Sequence, residues 1–153
     1  MAIEAPLSKF KKTNFKIYIA ICIGLAIWFV YDGHFNEEFK EKHTDVNGKP
    51  DSTLIFNQKA PPFFIGAAVL LGAYLLAIRN RKIIADENEL VLSDKKRIPY
   101  VSIQKIDKTH FDSKGFFLIT YKNKDGREVN RKLSDRTYDN LAAILDELVA
   151  KIS

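Results

Sequence analysis

Two stretches of the chain break the otherwise even mixture of charged and apolar residues. Ile17–Tyr31 reads IYIAICIGLAIWFVY and Pro61–Ile78 reads PPFFIGAAVLLGAYLLAI, and neither contains a charged side chain. An amphipathic helix shows a polar stripe, whereas these segments are apolar on every helical face, which predicts helices surrounded by lipid. At about 1.5 Å per residue the first covers about 22 Å, short of a hydrocarbon core of about 30 Å. Thr13, Asn14 and Phe15 extend it on the N-terminal side. Eight of its residues are Ile, Leu, Phe or Val, each favouring insertion by about 0.3–0.6 kcal/mol near the bilayer centre. Pro61 and Pro62 suit a helix start, where the missing N–H has no partner to lose.

The flanks of these segments give an orientation. Lys9, Lys11, Lys12 and Lys16 precede the first, and Arg79, Arg81 and Lys82 follow the second, while the connection between them is acidic. The excess of Lys and Arg beside spans marks the cytoplasmic side, so both termini are expected there, in a multi-pass protein of the inner (cytoplasmic) membrane. No small-residue cleavage site follows Tyr31, so an uncleaved anchor is expected rather than a signal peptide. Trp28 and Tyr31 with Phe63 and Phe64 form an aromatic belt at the opposite interface. Small residues recur four apart at Ala20 and Gly24, Ala68 and Gly72, and Ala73 and Ala77, which permits close helix packing. Small residues in a lipid-facing helix read equally well.

The expected organisation is therefore a basic leader (residues 1–16), a first span (17–31), an extracytoplasmic loop (32–60), a second span (61–78) and a cytoplasmic domain (82–153). In the loop, Phe35 and Phe39 stand four apart among charges, as in a short amphipathic helix on a membrane surface. Asp45, Asn47, Gly48 and Asp51 superficially match a calcium loop, but the twelve-residue ligand spacing and the closing glutamate are missing, and a turn at Asn47-Gly48 is expected. His34 and His43, with Glu37, Glu38 and Glu41, lack a third histidine, so no metal is expected. Cys22 is the single cysteine, which excludes an internal disulfide and a thiolate zinc site.

Beyond Ile78 the texture changes to short β-branched and aromatic runs between turns. Strands are predicted over Lys82–Ala85, Leu90–Leu92, Ile98–Val101, Ile103–Phe111, Phe116–Lys122 and Arg127–Leu133, with a hairpin at Lys124-Asp125-Gly126. Ser134 and Asp135 offer a helix start before Tyr138, Leu141, Ala142, Leu145, Leu148, Val149 and Ile152, whose spacing marks one buried face.

The succession Leu90-Val91-Leu92, a basic turn, Arg97-Ile98-Pro99-Tyr100, Ile103, Ile106-Asp107-Lys108, Phe116–Tyr121, a hairpin and a terminal helix resembles the small bacterial pleckstrin-homology-like domains. The resemblance covers Lys82 to Ser153. It implies a membrane-anchored α+β protein, with two transmembrane helices before an antiparallel barrel or sandwich capped by the C-terminal helix. That fold has seven strands; five or six are clear here, so either an irregular strand lies around Ile98–Ile106 or the barrel is incomplete. The resemblance also implies a binding or assembly module rather than an enzyme, and names no ligand.

The residues agree with a non-enzymatic reading: no phosphate-binding glycine loop, nucleophile elbow or metal motif occurs, and His110 stands alone. No cofactor is expected. The net charge of +5 is concentrated in the leader and in the segment after the second span. Arg79, Arg81, Lys82, Lys95, Lys96 and Arg97 are the candidate contacts to a lipid or a partner, with further basic residues at Lys122, Lys124 and Arg127 and at Arg131, Lys132 and Arg136. The expected function is a scaffold or accessory subunit of a larger integral membrane complex. Binding of anionic lipid headgroups at the inner leaflet is the alternative, and nucleic acid is not an expected partner.

Overall fold

The computed structural model describes residues 1–152 and divides into two compact units. The first combines Met1–Lys12 with the chain from Ile78 onward, and the second is Thr13–Ala77. The division shows that the apolar hairpin is an insertion within the sheet unit and not a preface to it.

In the sheet unit, β1 (Ile3–Pro6), β2 (Lys82–Ala85), β3 (Glu89–Ser93) and β4 (Lys96–Pro99) form an antiparallel sheet in that order. β5 (Ile103–Asp107), β6 (Phe116–Lys122) and β7 (Glu128–Ser134) form a second antiparallel sheet. Residues that alternate along these strands bury Ile83, Leu90, Ile98, Phe117, Ile119 and Leu133 in one core. Helix α6 (Leu141–Ile152) adds Leu141, Ile144 and Leu148 to it. The architecture is a sandwich of four and three strands with a terminal helix; the sheets do not close into a barrel.

Seven strands are present among the described residues, but the one missing from the sequence reading is β1, from the basic leader, and not an irregular strand near Ile98–Ile106. Ile3 pairs with Ala85 and Pro6 with Lys82, and Ala5 and Leu7 are buried to 0% and 2% exposure. A four-residue strand next to lysines carries too little periodicity to be recognised by pattern alone.

Three boundaries also differ. The strand begun at Ile103 ends at Asp107, where the carboxylate accepts the Thr109 N–H at 3.0 Å and the chain turns into the short helix α5 (Phe111–Lys114). Gly115, at φ 69°, ends α5, with the Asp135 carboxylate where a Cβ would stand. The strand over Ile98–Val101 stops at Pro99 and becomes a 3-10 turn, Tyr100–Ser102. The terminal helix starts at Leu141 instead of Ser134. The intervening segment is used to cover the outer edge of β1: Thr137 accepts the Ser8 N–H at 2.8 Å, the Asp139 N–H reaches Pro6 O at 2.9 Å, and Asn140 Nδ2 reaches Glu4 O at 3.0 Å. Backbone pairing of an exposed edge outweighs the capping preference of Ser134 and Asp135.

In the second unit, α1 (Lys9–Val30, its first turn within the sheet unit) runs on as a π-helical turn, Tyr31–Phe35. The helices α2 (Glu37–Lys42) and α3 (Ser52–Lys59) follow, and α4 (Pro61–Ile78) completes the unit. The helical stretches Lys9–Phe35 and Ser52–Ile78 are each 27 residues, about 40 Å at 1.5 Å per residue, with mean hydropathy 1.8 and 2.0. Both are long and apolar enough to cross a membrane, and only 6% and 17% of their apolar windows is buried. A core helix of a water-soluble protein would be largely covered.

Candidate functional site

The β3–β4 turn and the β6–β7 hairpin flank a cleft of about 720 Å³. Its basic lining comes from Lys95, Lys96 and Arg97 on one side and Lys122 and Lys124 on the other, over a floor that includes Ile98 and Tyr121. Local rules put the cations at the tips. The β6–β7 turn is held by Asn123, whose Oδ1 accepts the N–H groups of Asp125 and Arg127 at 3.0 Å each, and Gly126 supplies the φ of 76° that the turn needs. Across the cleft the register shifts between Val91 and Ser93, so that Ser93 pairs with Lys96 and the tip is short and exposed.

The charges are not equivalent. Arg97 Nη1 donates to Glu89 Oε1 at 2.7 Å, and Lys82 Nζ to Glu4 Oε1 at 2.7 Å. Lys95, Lys96, Lys122 and Lys124 make no ion pair among the described residues, and Asp94 is the other carboxylate lining the cleft besides Glu89. The arrangement is a basic cleft with Lys95, Lys96, Lys122 and Lys124 unpaired among the described residues. It holds no nucleophile paired with a base. Lys122 and Lys124 were visible in the sequence as hairpin residues, but their position opposite Lys95 and Lys96 depends on how two sheets face one another, which spacing along one chain does not encode.

The cleft has a defined place relative to the chain's entry points. β2 begins at Lys82, beside Pro6, and β3 runs antiparallel to β2, so the β3–β4 turn lies at the end of the sheet where Pro6 and Lys82 stand. That is the end from which the chain departs into both long helices. Arg79 and Arg81 are exposed at this junction.

At the opposite end of the sheet, the Tyr100 hydroxyl donates to Asp86 O at 2.6 Å. Burial, then the carboxylates of Glu147, Asp86 and Glu89, push its pKa up to about 12. His110 is exposed with its ring 5.3 Å from that of Phe116, and nearby Asp107 is held below the usual carboxylate range chiefly by hydrogen bonds from the Thr109 side chain and backbone. β5 ends at Asp107, so His110 lies in the turn before α5 and not in a strand.

In the helical unit the small residues are only partly at the helix contact. Ala68 is buried, and a Cβ added at Gly72 would lie 4.0 Å from Ile19 Cδ1, while Ala20, Gly24, Ala73 and Ala77 are exposed. Aromatic rings bridge α1 and α4 instead, Phe15 to Tyr74 at 5.3 Å and Phe29 to Phe64 at 5.5 Å. Of the belt residues, Trp28 donates its indole N–H to Asp32 at 2.7 Å, and Tyr31 and Phe63 are exposed.

The connecting segment is folded rather than slack. Gly33 presses on α3 so closely that a Cβ would lie 2.9 Å from the carbonyl carbon and oxygen of Asn57. Asp51 caps α3 by accepting the Leu54 N–H at 2.9 Å and meets His43 Nδ1 at 2.7 Å; the Leu54 N–H and then His43 hold its carboxyl below the usual range. The carboxylate of Asp45 accepts the N–H groups of Asn47 and Lys49, and Gly48 has φ 74°, which is a turn. No cluster of three or more His, Cys, Asp or Glu residues suited to a metal occurs among the described residues.

No family model matches the chain, and neither a curated protein nor a solved structure matches it.

Proposed function

We propose that the chain is a membrane-anchored, non-enzymatic binding module: a two-span hairpin inserted into a pleckstrin-homology-like sandwich that sits in the cytoplasm and serves as a scaffold or accessory subunit of a larger membrane complex. One observation carries the reading. β1 precedes the first long helix and β2 follows the second, yet they pair residue for residue from Ile3–Ala85 to Pro6–Lys82. A hydrogen-bonded sheet cannot be divided by a bilayer, so the two helices either both cross or neither does. Their uncovered apolar surfaces favour crossing, and the lysines and arginines at Lys9–Lys16 and Arg79–Lys82 favour the cytoplasm for the sandwich. The same pairing argues against a cleaved signal peptide, since cleavage would strip β1 from the sheet. Four strands, three strands and a helix also agree with the pleckstrin-homology-like resemblance.

Extraction of the full chain in mild detergent, followed by mass spectrometry of co-purifying proteins, tests the accessory role. A defined stoichiometric membrane partner is expected, and a monomer under every mild condition would overturn it. A second reading is favoured by the basic cleft at the tethered end of the sheet: Lys95, Lys96, Lys122 and Lys124 hold anionic headgroups, each contributing about 1 kcal/mol near a charged leaflet. It requires slower hydrogen exchange at the two cleft turns in nanodiscs containing anionic lipid than in zwitterionic ones, an effect removed by Lys95→Glu with Lys96→Glu.

A further inference from the structure

The helical unit carries two apolar grooves of different character. One, of about 380 Å³, is lined by Ile23, Ile27, Val30, Tyr31, Phe35 and Ile65, and no charged residue borders it. The other, of about 530 Å³, follows a single face of the Ser52–Ile78 helical stretch, with Ile55, Phe56, Phe63 and Phe64 as its apolar walls. Phe29 holds two of these rings, meeting Phe56 edge-on at 5.4 Å and Phe64 at 5.5 Å, while Phe63 is 78% exposed. The polar lining is Ser52 and Lys59. No carboxylate borders this groove, and Lys59 makes no ion pair among the described residues.

Depth decides what such a groove can hold. Lys59 and Arg79 are twenty residues apart, about 30 Å along a helix, which is the thickness of a hydrocarbon core. On the two-span reading Arg79 stands at the cytoplasmic edge of that core, so Lys59 stands at the opposite edge, with Phe63 and Phe64 just inside it. Helical side chains lean toward the helix N-terminus, here away from the core, so the Lys59 ammonium snorkels to the level of the lipid phosphates. Apolar walls within the core and a lone cation above them select an acyl chain that bears a phosphate. With no carboxylate to balance a choline or ethanolamine ammonium, they select a lipid of net negative charge.

We propose that this groove binds an anionic phospholipid of the leaflet on the side of the connecting segment, with an acyl chain along Phe63 and Phe64 and the phosphate at Lys59. The inference rests on the two-span reading and is separate from the basic cleft of the sandwich. The test uses the full chain in phosphatidylcholine liposomes doped with phosphatidylglycerol that carries a photoactivatable diazirine on an acyl chain, and adducts are mapped by mass spectrometry. Labelling concentrated at residues 55–64 is expected. Replacing part of the phosphatidylcholine by unlabelled phosphatidylglycerol should reduce that labelling and leave any at residues 23–35 unchanged. Lys59→Glu should lower it about fivefold or more, and Lys59→Arg should retain it. Lys49→Glu, at an exposed lysine of the connecting segment outside the groove, should leave it unchanged. The proposal is overturned by labelling spread evenly over both spans, by labelling that unlabelled phosphatidylglycerol does not reduce, or by equal losses in Lys59→Glu and Lys49→Glu. Any of these in a chain that resists extraction by alkaline carbonate removes the groove site alone; a chain that carbonate extracts removes the two-span reading and the site with it.

Discussion

Replacing Leu7 by Ala tests whether the N-terminal leader is part of the sandwich. Leu7 is 2% exposed, its N–H donates to Arg81 O at 2.9 Å, and it forms an isolated bridge with Tyr138. Truncating a fully buried leucine costs about 2–5 kcal/mol through lost transfer energy and the cavity left behind. Against a domain stability of about 5–15 kcal/mol, a loss near 3 kcal/mol raises the unfolded fraction about a hundredfold. With a urea dependence of about 1–3 kcal/mol per molar, the midpoint should fall by about 1–3 M. Trp28 lies in the apolar hairpin and does not report on the sheets, so pulse proteolysis in urea with detection through a C-terminal tag is the suitable assay. Phe10→Ala, three residues on at a side chain 56% exposed, is the control and should shift the midpoint little. Equal midpoints for the two variants would refute the reasoning, because β1 would then contribute nothing to the fold of a domain more than seventy residues downstream.

Other expectations follow from single sites. Gly115→Ala should destabilise the sandwich by more than about 1 kcal/mol in the same assay, since its φ is 69° and the Asp135 carboxylate occupies the Cβ position. Gly33→Ala should leave the sandwich unchanged but open the connecting segment, read as faster proteolysis between Asn36 and Asp51, because the new methyl meets the Asn57 backbone. The folded-state pKa of Tyr100, about 12, lies above its ordinary value of 10.0, so its stabilising contribution is complete below pH 10 and is lost as pH rises toward 12. Tyr100→Phe should remove a tyrosinate transition near pH 12 seen by ultraviolet absorbance in the folded protein; the same transitions in parent and variant would contradict this.

Much of this was legible in sequence for a definite reason. Charge-free runs of fifteen and eighteen residues leave few alternatives, and alternation in Phe116–Lys122 with turn chemistry in Asn123–Gly126 fixes a hairpin. What escaped depends on long-range pairing. β1 is defined by a partner about eighty residues away, and the delayed start of α6 by the use of Thr137, Asp139 and Asn140 against that strand. The candidate cations were divided in the same manner: Lys95, Lys96 and Arg97 are neighbours at the start of β4 and form one rim of the cleft, but Lys122 and Lys124 join them only through the facing sheet. The small-residue spacing describes what a helix permits and not what it meets, hence the exposure of Gly24 while Ala68 is buried.

The proposal that the sandwich and the connecting segment lie on opposite sides of a bilayer is tested most directly by labelling from each side. In a Cys22→Ser background, single cysteines at Val46, which is fully exposed, and at Lys124, in the β6–β7 turn, would be treated with a membrane-impermeant maleimide in right-side-out and inverted vesicles. Val46→Cys should react only in right-side-out vesicles and Lys124→Cys only in inverted ones. Reaction of both from the same side would contradict the account.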